Sequence, residues 1–152
     1  MPAIKVGQKA PDFILKDQHN IEFKLSDFRG RKVLLSFHPL AWTKICARQM
    51  QSLEKSFKTF DLLNTVPLGM SVDTVPAKHA WARSLKVKTL RMLSNFWPHG
   101  NVAKAYGLFR EKEGFSERAN VIIDEFGKVI WMKIYPIKEL PDIKEVLKIL
   151  SK

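Results

Sequence analysis

The apolar residues of the chain fall into short runs and helical stripes that alternate along it. Phe13-Ile14-Leu15 and Ile21-Glu22-Phe23-Lys24-Leu25 flank the polar stretch Lys16-Asp17-Gln18-His19-Asn20, the pattern of a short hairpin. Ser26-Asp27-Phe28 reads as a helical turn. Val33-Leu34-Leu35-Ser36-Phe37 is an apolar run suited to a buried central strand, and Pro39 ends it. Cys46, Met50, Leu53, Phe57 and Phe60 then recur at alternating spacings of four and three, one face of an amphipathic helix. Residues 66–72 read as the next strand, with Pro67 an unusual occupant. Asp73 or Thr74 can cap a second helix that carries Pro76 in its first turn and Ala80, Trp81, Ser84 and Leu85 along it.

After Leu93 the pattern predicts a loop over 94–100 and a short helix to about Tyr106. Residues 119–123 and 128–134 form two strands joined by the turn Asp124-Glu125-Phe126-Gly127. Pro141-Asp142 opens a last helix with Ile143, Val146, Leu147 and Leu150 on its apolar face. The order is hairpin, β-α-β-α, then β-β-α. It predicts a three-layer α/β sandwich with a mixed central sheet, the thioredoxin architecture, preceded by an N-terminal β-hairpin extension. With no repeats, linkers or low-complexity stretches, residues 1–152 read as a single domain.

Composition narrows the function classes. The apolar and charged shares are those of a soluble globular protein, and no apolar run reaches the ~18–20 residues of a membrane helix. The N-terminal Met1-Pro2-Ala3-Ile4-Lys5 has no signal-peptide core, so a cytoplasmic location is the expectation. Net charge is +11, but beyond the cluster Arg29-Gly30-Arg31-Lys32 the basic residues are scattered. A solvated basic surface accounts for them better than nucleic-acid or other polyanion binding, since no basic run is interleaved with aromatics. Cys46 is the only cysteine, which excludes an internal disulfide and any two-cysteine redox cycle within the chain. His38, Cys46 and His99 lack metal-ligand spacing, so no metal site is expected.

By itself a lone cysteine reads as a small buried hydrophobe. Its surroundings point elsewhere. Cys46 lies in the first turns of the helix that follows the buried strand, where unpaired backbone N–H groups and the positive end of the helix dipole favour an anionic sulfur. Thr43 precedes it by about one helical turn, and its hydroxyl can donate to or accept from a group bound above the sulfur. Pro39 fixes the backbone of the connecting loop. No carboxylate occurs between Val33 and Gln51, while Lys44 and Arg48 flank the cysteine.

The stretch Pro39-Leu40-Ala41-Trp42-Thr43-Lys44-Ile45-Cys46 matches the Pro-x-x-x-Thr-x-x-Cys signature of the peroxiredoxins. Further segments resemble that family in the same order: Gly7–Phe13, Leu25–Gly30, Ser71-Val72-Asp73 with His79-Ala80-Trp81-Ala82, Leu93–Gly100 and Gly114–Asp124. The resemblance covers nearly the whole chain. It implies a thiol-dependent peroxidase of the one-cysteine type that reduces hydrogen peroxide or alkyl hydroperoxides. Cys46 would be oxidised to a sulfenic acid and regenerated by an external thiol, with no cofactor. Arg118 lies in the segment that carries the family's active-site arginine and would hold the thiolate and the peroxide oxygens. Thr43 would align the O–O bond and Pro39 would shield the sulfur.

Two departures stand out. Gln49 occupies a position where peroxiredoxins commonly carry the glutamate that orients the arginine, and Asn95 stands where related sequences often have aspartate. Gln49 keeps an alternative open, a non-catalytic thioredoxin-fold redox sensor or interaction module. His38 can contact the pocket but reads better as a structural histidine. Trp42, inside the signature, is expected in the pocket wall or at a subunit interface. The resemblance also implies a homodimer that pairs near the active-site loops.

Overall fold

The computed structural model describes residues 2–152; Met1, the first residue of the N-terminal stretch considered above, lies outside them. Strands β1 (Ile14–Lys16) and β2 (Glu22–Lys24) form the expected hairpin, followed by a 3-10 turn at Leu25–Phe28. Next come β3 (Lys32–Phe37), α1 (Lys44–Lys55), α2 (Phe57–Leu62), β4 (Thr65–Ser71), α3 (Val75–Leu85), β5 (Arg91–Ser94) and α4 (Asn101–Ala105). A small hairpin, β6 (Phe109–Arg110) and β7 (Phe115–Ser116), precedes β8 (Arg118–Ile123), β9 (Val129–Tyr135) and α5 (Ile143–Leu150).

Seven strands make one sheet in the order β2-β1-β5-β4-β3-β8-β9. β3, β4 and β5 are mutually parallel, whereas β8 runs antiparallel to β3 and β9 antiparallel to β8. The sheet is therefore mixed, as the element order predicts. Alternation within the central strands supplies both faces. Val33, Leu35, Phe37, Val121 and Ile123 pack with Val102 and Tyr106 around α4. Leu34 and Ile122 point to the opposite layer, where Cys46, Met50, Phe60, Trp81 and Val146 bring together α1, α2, α3 and α5.

Three local expectations are revised. The helix after Pro39 kinks at Ser56 (φ −95°, ψ 9°), so Phe60 is enclosed while Phe57 is only half-buried. β5 is a strand where the pattern assigned no element, only a loop from Ser94 onward. Its sequence, Arg-Met-Leu-Ser, has no β-branched or aromatic residue, and its pairing with β4 and β1 overrides local preference. Buried Gln18 helps fix it, accepting from the Met92 N–H (2.8 Å) and donating to the Leu90 carbonyl (2.7 Å). The third concerns α3: of the residues noted along it Trp81 is buried while Ala80 and Ser84 are exposed, and the inward stripe is Lys78, Trp81 and Ala82. Thr74 caps this helix, its hydroxyl accepting from the Ala77 N–H at 3.3 Å. Pro67 is accommodated because β5 pairs with β4 only from Leu68 onward, leaving one edge of Pro67 without a ladder to break.

Gly69 of β4 has an ordinary backbone conformation, and it is space that requires glycine there. A Cβ would lie 3.4 Å from His38 Cε1 and far inside contact distance of Met50 Sδ. Met50 is fully buried and cannot swing away. Gly69→Ala is expected to destabilise the fold by about 1–3 kcal/mol through overpacking, read from the midpoint of urea unfolding.

Candidate active site

β3 delivers the chain to Pro39, and α1 begins five residues later. The intervening loop is held from two sides. Asp73 Oδ2 accepts from the Ala41 N–H (2.8 Å) and from Ser71 Oγ (2.6 Å), so the residue considered as a helix cap ties down this loop instead. Thr43 Oγ1 donates to the Leu40 carbonyl at 2.8 Å. Between these ties Trp42 adopts the left-handed region (φ 68°), a conformation that costs a bulky residue about 1–2 kcal/mol. Thr43 is the extended N-cap residue of α1, and Cys46 is the third residue of the helix. The first turn carries no acidic side chain.

The antiparallel pairing of β3 with β8, which sets Phe37 opposite Ala119, brings the start of β8 to the same end of the sheet. Arg118 stands there, 3 % exposed. Its Nη1 donates to Cys46 Sγ at 3.3 Å and to Gln49 Oε1 at 2.8 Å, and its Nε donates to the Ile137 carbonyl at 2.9 Å. Gln49 is itself fixed, its amide nitrogen donating to Ser36 Oγ (2.7 Å) and to the Phe37 carbonyl (3.1 Å). Among the described residues no carboxylate pairs with Arg118. A buried cation without a counter-charge is costly, and the sulfur of Cys46 is the group placed to carry the compensating negative charge.

Cys46 itself is 0 % exposed. Beside Arg118, which contacts the sulfur, opens a cleft of about 270 Å³, bounded by Pro39, Thr43 and Arg118, with Phe115 and Ile137 as apolar walls and Lys44 at the edge. A small polar molecule entering it meets a hydroxyl, a guanidinium and, behind them, a thiol. Sequence reasoning named Cys46, Thr43, Pro39, Arg118 and Gln49, and the fold brings all five together. The other two of its candidates lie apart from the cleft. Trp42 faces outward at 57 % exposed and does not line the cleft. His38 is fully buried behind the loop.

A model of the AhpC/TSA family matches residues 6–132. The chain belongs to this peroxiredoxin family. It is 36% identical over 140 residues to alkyl hydroperoxide reductase E of Mycobacterium tuberculosis, covering 91% of each protein. It is 32% identical to peroxiredoxin 2 of Thermoplasma acidophilum over 151 residues, covering 96% of this chain and 74% of that one. The reduced 2-Cys peroxiredoxin of Plasmodium vivax superposes with a TM-score of 0.90 at 28% identity, covering 97% of this chain and 81% of that one. The seven-stranded mixed sheet with helices on both faces is thus the peroxiredoxin form of the thioredoxin fold.

Next to this peroxiredoxin site lies a group that the sequence did not reveal. Lys78 of α3 is fully buried, and its Nζ stands 3.2 Å from His38 Nε2. Burial, and then the neighbouring Lys78 charge, hold His38 well below its ordinary value, so the ring is neutral and its Nε2 accepts from the ammonium. Burial also lowers Lys78, from 10.5 to about 8, against the opposing charges of Asp73 and Cys46. A charged residue inside an apolar stripe gives no periodicity signal, which is why Lys78 escaped notice.

The sign of the resulting linkage is definite. Because the folded value lies below the unfolded one, the unfolded chain binds more protons between about pH 8 and 10.5, and stability rises with pH across that window. The stability difference between Lys78→Met and the native protein is expected to be constant below about pH 8 and to shift in favour of the native protein up to pH 10.5. Denaturant titrations of both proteins across this range check it.

Proposed function

We propose that this peroxiredoxin is a thiol-dependent peroxidase that reduces hydrogen peroxide or alkyl hydroperoxides at Cys46. The observation that carries the reading is the buried 3.3 Å contact between Arg118 Nη1 and Cys46 Sγ, with no carboxylate to neutralise the arginine. The Cys46 thiolate attacks one peroxide oxygen. A sulfur–oxygen bond forms as the O–O bond breaks, the electron pair leaves on the departing alkoxide or hydroxide, and a proton converts this to alcohol or water. Arg118 offers donors to the peroxide oxygens while it stabilises the sulfur, and Thr43 Oγ1, its own hydrogen given to the Leu40 carbonyl, lies at the cleft to accept a hydrogen bond from the hydroperoxide O–H. Pro39 and the apolar walls limit water around the sulfenic acid. Because Cys46 is the only cysteine, an external thiol must attack the sulfenic sulfur and release water, and a second thiol must then free Cys46 from the mixed disulfide.

Gln49 does not weaken this reading. The amide orients Arg118 through one oxygen and is itself anchored through its nitrogen, so the geometric role expected of a glutamate is filled. The feature that kept a non-catalytic module open therefore no longer favours it.

Peroxide is expected to consume one equivalent of Cys46 thiol and to leave a product that reacts with a sulfenic-acid probe. Cys46→Ser should abolish both. Arg118→Met should slow oxidation by about 10²–10³-fold, the cost of losing one positioned charge donor, as read by stopped-flow fluorescence. An unreactive Cys46 in the folded protein would overturn the proposal.

We further place the protein in the cytoplasm, where a reducing environment keeps a lone thiol available for turnover. We also infer a homodimer. Trp42 and Trp97 are 57 % and 78 % exposed, and Leu40 and Phe96 line one groove beside the active-site loop. Such apolar exposure suits an interface between two copies. Light scattering coupled to gel filtration should return twice the chain mass, and Trp97→Glu should shift it to the monomer; a monomeric native protein would remove the inference.

A further inference from the structure

The cleft beside Arg118 is lined by three cations and by no acidic side chain. Lys44, the first residue of α1, stands at one edge and Lys138 at another. Both are exposed, and among the described residues neither joins an ion pair. Lys138 is held to the site through its neighbour, since the Ile137 carbonyl accepts from Arg118 Nε at 2.9 Å. Glu139, next in sequence, does not line the cleft. The third cation is Arg118, 3 % exposed. Its Nη1 and Nε are taken by Cys46, Gln49 and Ile137, whereas its Nη2 makes no hydrogen bond to a described residue. The first turn of α1 adds N–H groups that no side chain caps. The chain's high net charge does not by itself produce this sorting. The adjoining groove, which shares Leu40 and Phe115 with the cleft, carries Asp73 and Glu113.

We propose that this cleft receives the reductant, and that Lys44, Lys138 and the free Nη2 of Arg118 select a small thiol that carries a carboxylate. This rests on the peroxidase reading and deepens it. Oxidation turns an anionic sulfur into a neutral sulfenic acid. Arg118 is then buried with no anion beside it, because Gln49 is an amide, and the next molecule to enter meets an uncompensated positive field. At about 270 Å³ the cleft lies just below the usual size of small-ligand sites, roughly 300–1,000 Å³, which suits a thiol of few atoms. A guanidinium nitrogen is well matched to a carboxylate oxygen, and the two lysines act as point charges at the rim. The reductant's thiolate attacks the Cys46 sulfur. The S–S bond forms as the S–O bond breaks, and hydroxide leaves as water with the proton the thiol gave up. A second thiolate attacks the reductant's sulfur in the mixed disulfide, which releases the reductant disulfide and returns Cys46 as thiolate.

The experiment oxidises the native protein with one equivalent of hydrogen peroxide and mixes it with one of three small thiols that differ in the charge of their tail. Mercaptopropionate carries a carboxylate, mercaptoethanol is neutral and cysteamine carries an ammonium. Loss of the sulfenic acid is followed by quenched-flow labelling, and each rate is expressed per thiolate so that thiol acidity drops out. The carboxylate thiol is expected to react fastest and the ammonium thiol slowest, about tenfold apart at low salt. Raising ionic strength from about 0.01 to 1 M shortens the screening length from about 30 to 3 Å and should close the gap. Rates that ignore tail charge, or a gap that persists in high salt, would overturn the proposal, and neither comparison needs a variant to fold. A second arm uses two double variants. Lys44→Gln with Lys138→Gln should collapse the preference, and Lys44→Glu with Lys138→Glu should reverse it; an unchanged order in both would overturn the assignment to these lysines. Reduction by reduced thioredoxin with all three small thiols inactive would overturn it as well. If peroxide failed to oxidise Cys46, the peroxidase reading and this one would fall together, and that result is seen before any thiol is added.

Discussion

The guanidinium of Arg118 is buried against a sulfur with no carboxylate to neutralise it, and much of the surrounding structure exists to hold it there. A cation in such a place has few stable arrangements. Each donor that misses an acceptor costs about 1–3 kcal/mol, so Ile137, Gln49 and Cys46 together fix the plane of the guanidinium as well as its position. Gln49 can serve only because Ser36 and Phe37 fix its amide. The register of β3 against β8 therefore reaches the cleft through four side chains. Slipping it by one residue would turn Arg118 to the other face of the sheet.

The neutral amide at position 49 changes the balance of this site more than its geometry. At 4 Å and an effective dielectric of 20, a full charge is worth about 4 kcal/mol. A carboxylate in place of Gln49 would divide the attention of Arg118 between two anions. With an amide, the sulfur is the only acceptor of the guanidinium that can bear a charge. The chain's excess of basic residues is mostly a property of its surface, whereas Arg118 is enclosed.

The fold and the site were unequally legible in the sequence. Strands buried on both faces, such as β3, announce themselves as apolar runs, and the face from Cys46 to Phe60 shows helical spacing. β5 was invisible because its four residues are ordinary helix or loop formers whose extended state is imposed by β1 and β4. Pro39, Thr43 and Cys46 lie within one short stretch, so local spacing was enough to group them. Arg118 is 72 residues from Cys46, and no periodicity links the two. Only the likeness of a whole segment to a known family suggested it. Lys78 had neither kind of signal. Its inward position follows from Trp81 and Ala82 facing the core one turn further along α3, which can be read only once it is known which face of α3 meets the sheet.

The same geometry that protects the sulfur raises a problem for turnover. Cys46 has no exposed surface, yet an external thiol must reach its sulfur after oxidation. The core side cannot yield, since Met50, Phe60 and Trp81 are packed there and Arg118 is pinned by its acceptors. What remains is the solvent side, the loop and first turn of α1. That turn is lightly secured. Thr43 gives its hydroxyl to Leu40 instead of capping the helix, no acidic residue complements the dipole, and Trp42 is held in an unfavourable backbone region. Asp73 still ties the preceding loop through the Ala41 N–H, so the part with fewest ties is the first turn itself. The helix start that exposes its N–H groups to an anionic sulfur is thus also the part of the site best able to move aside for the reductant.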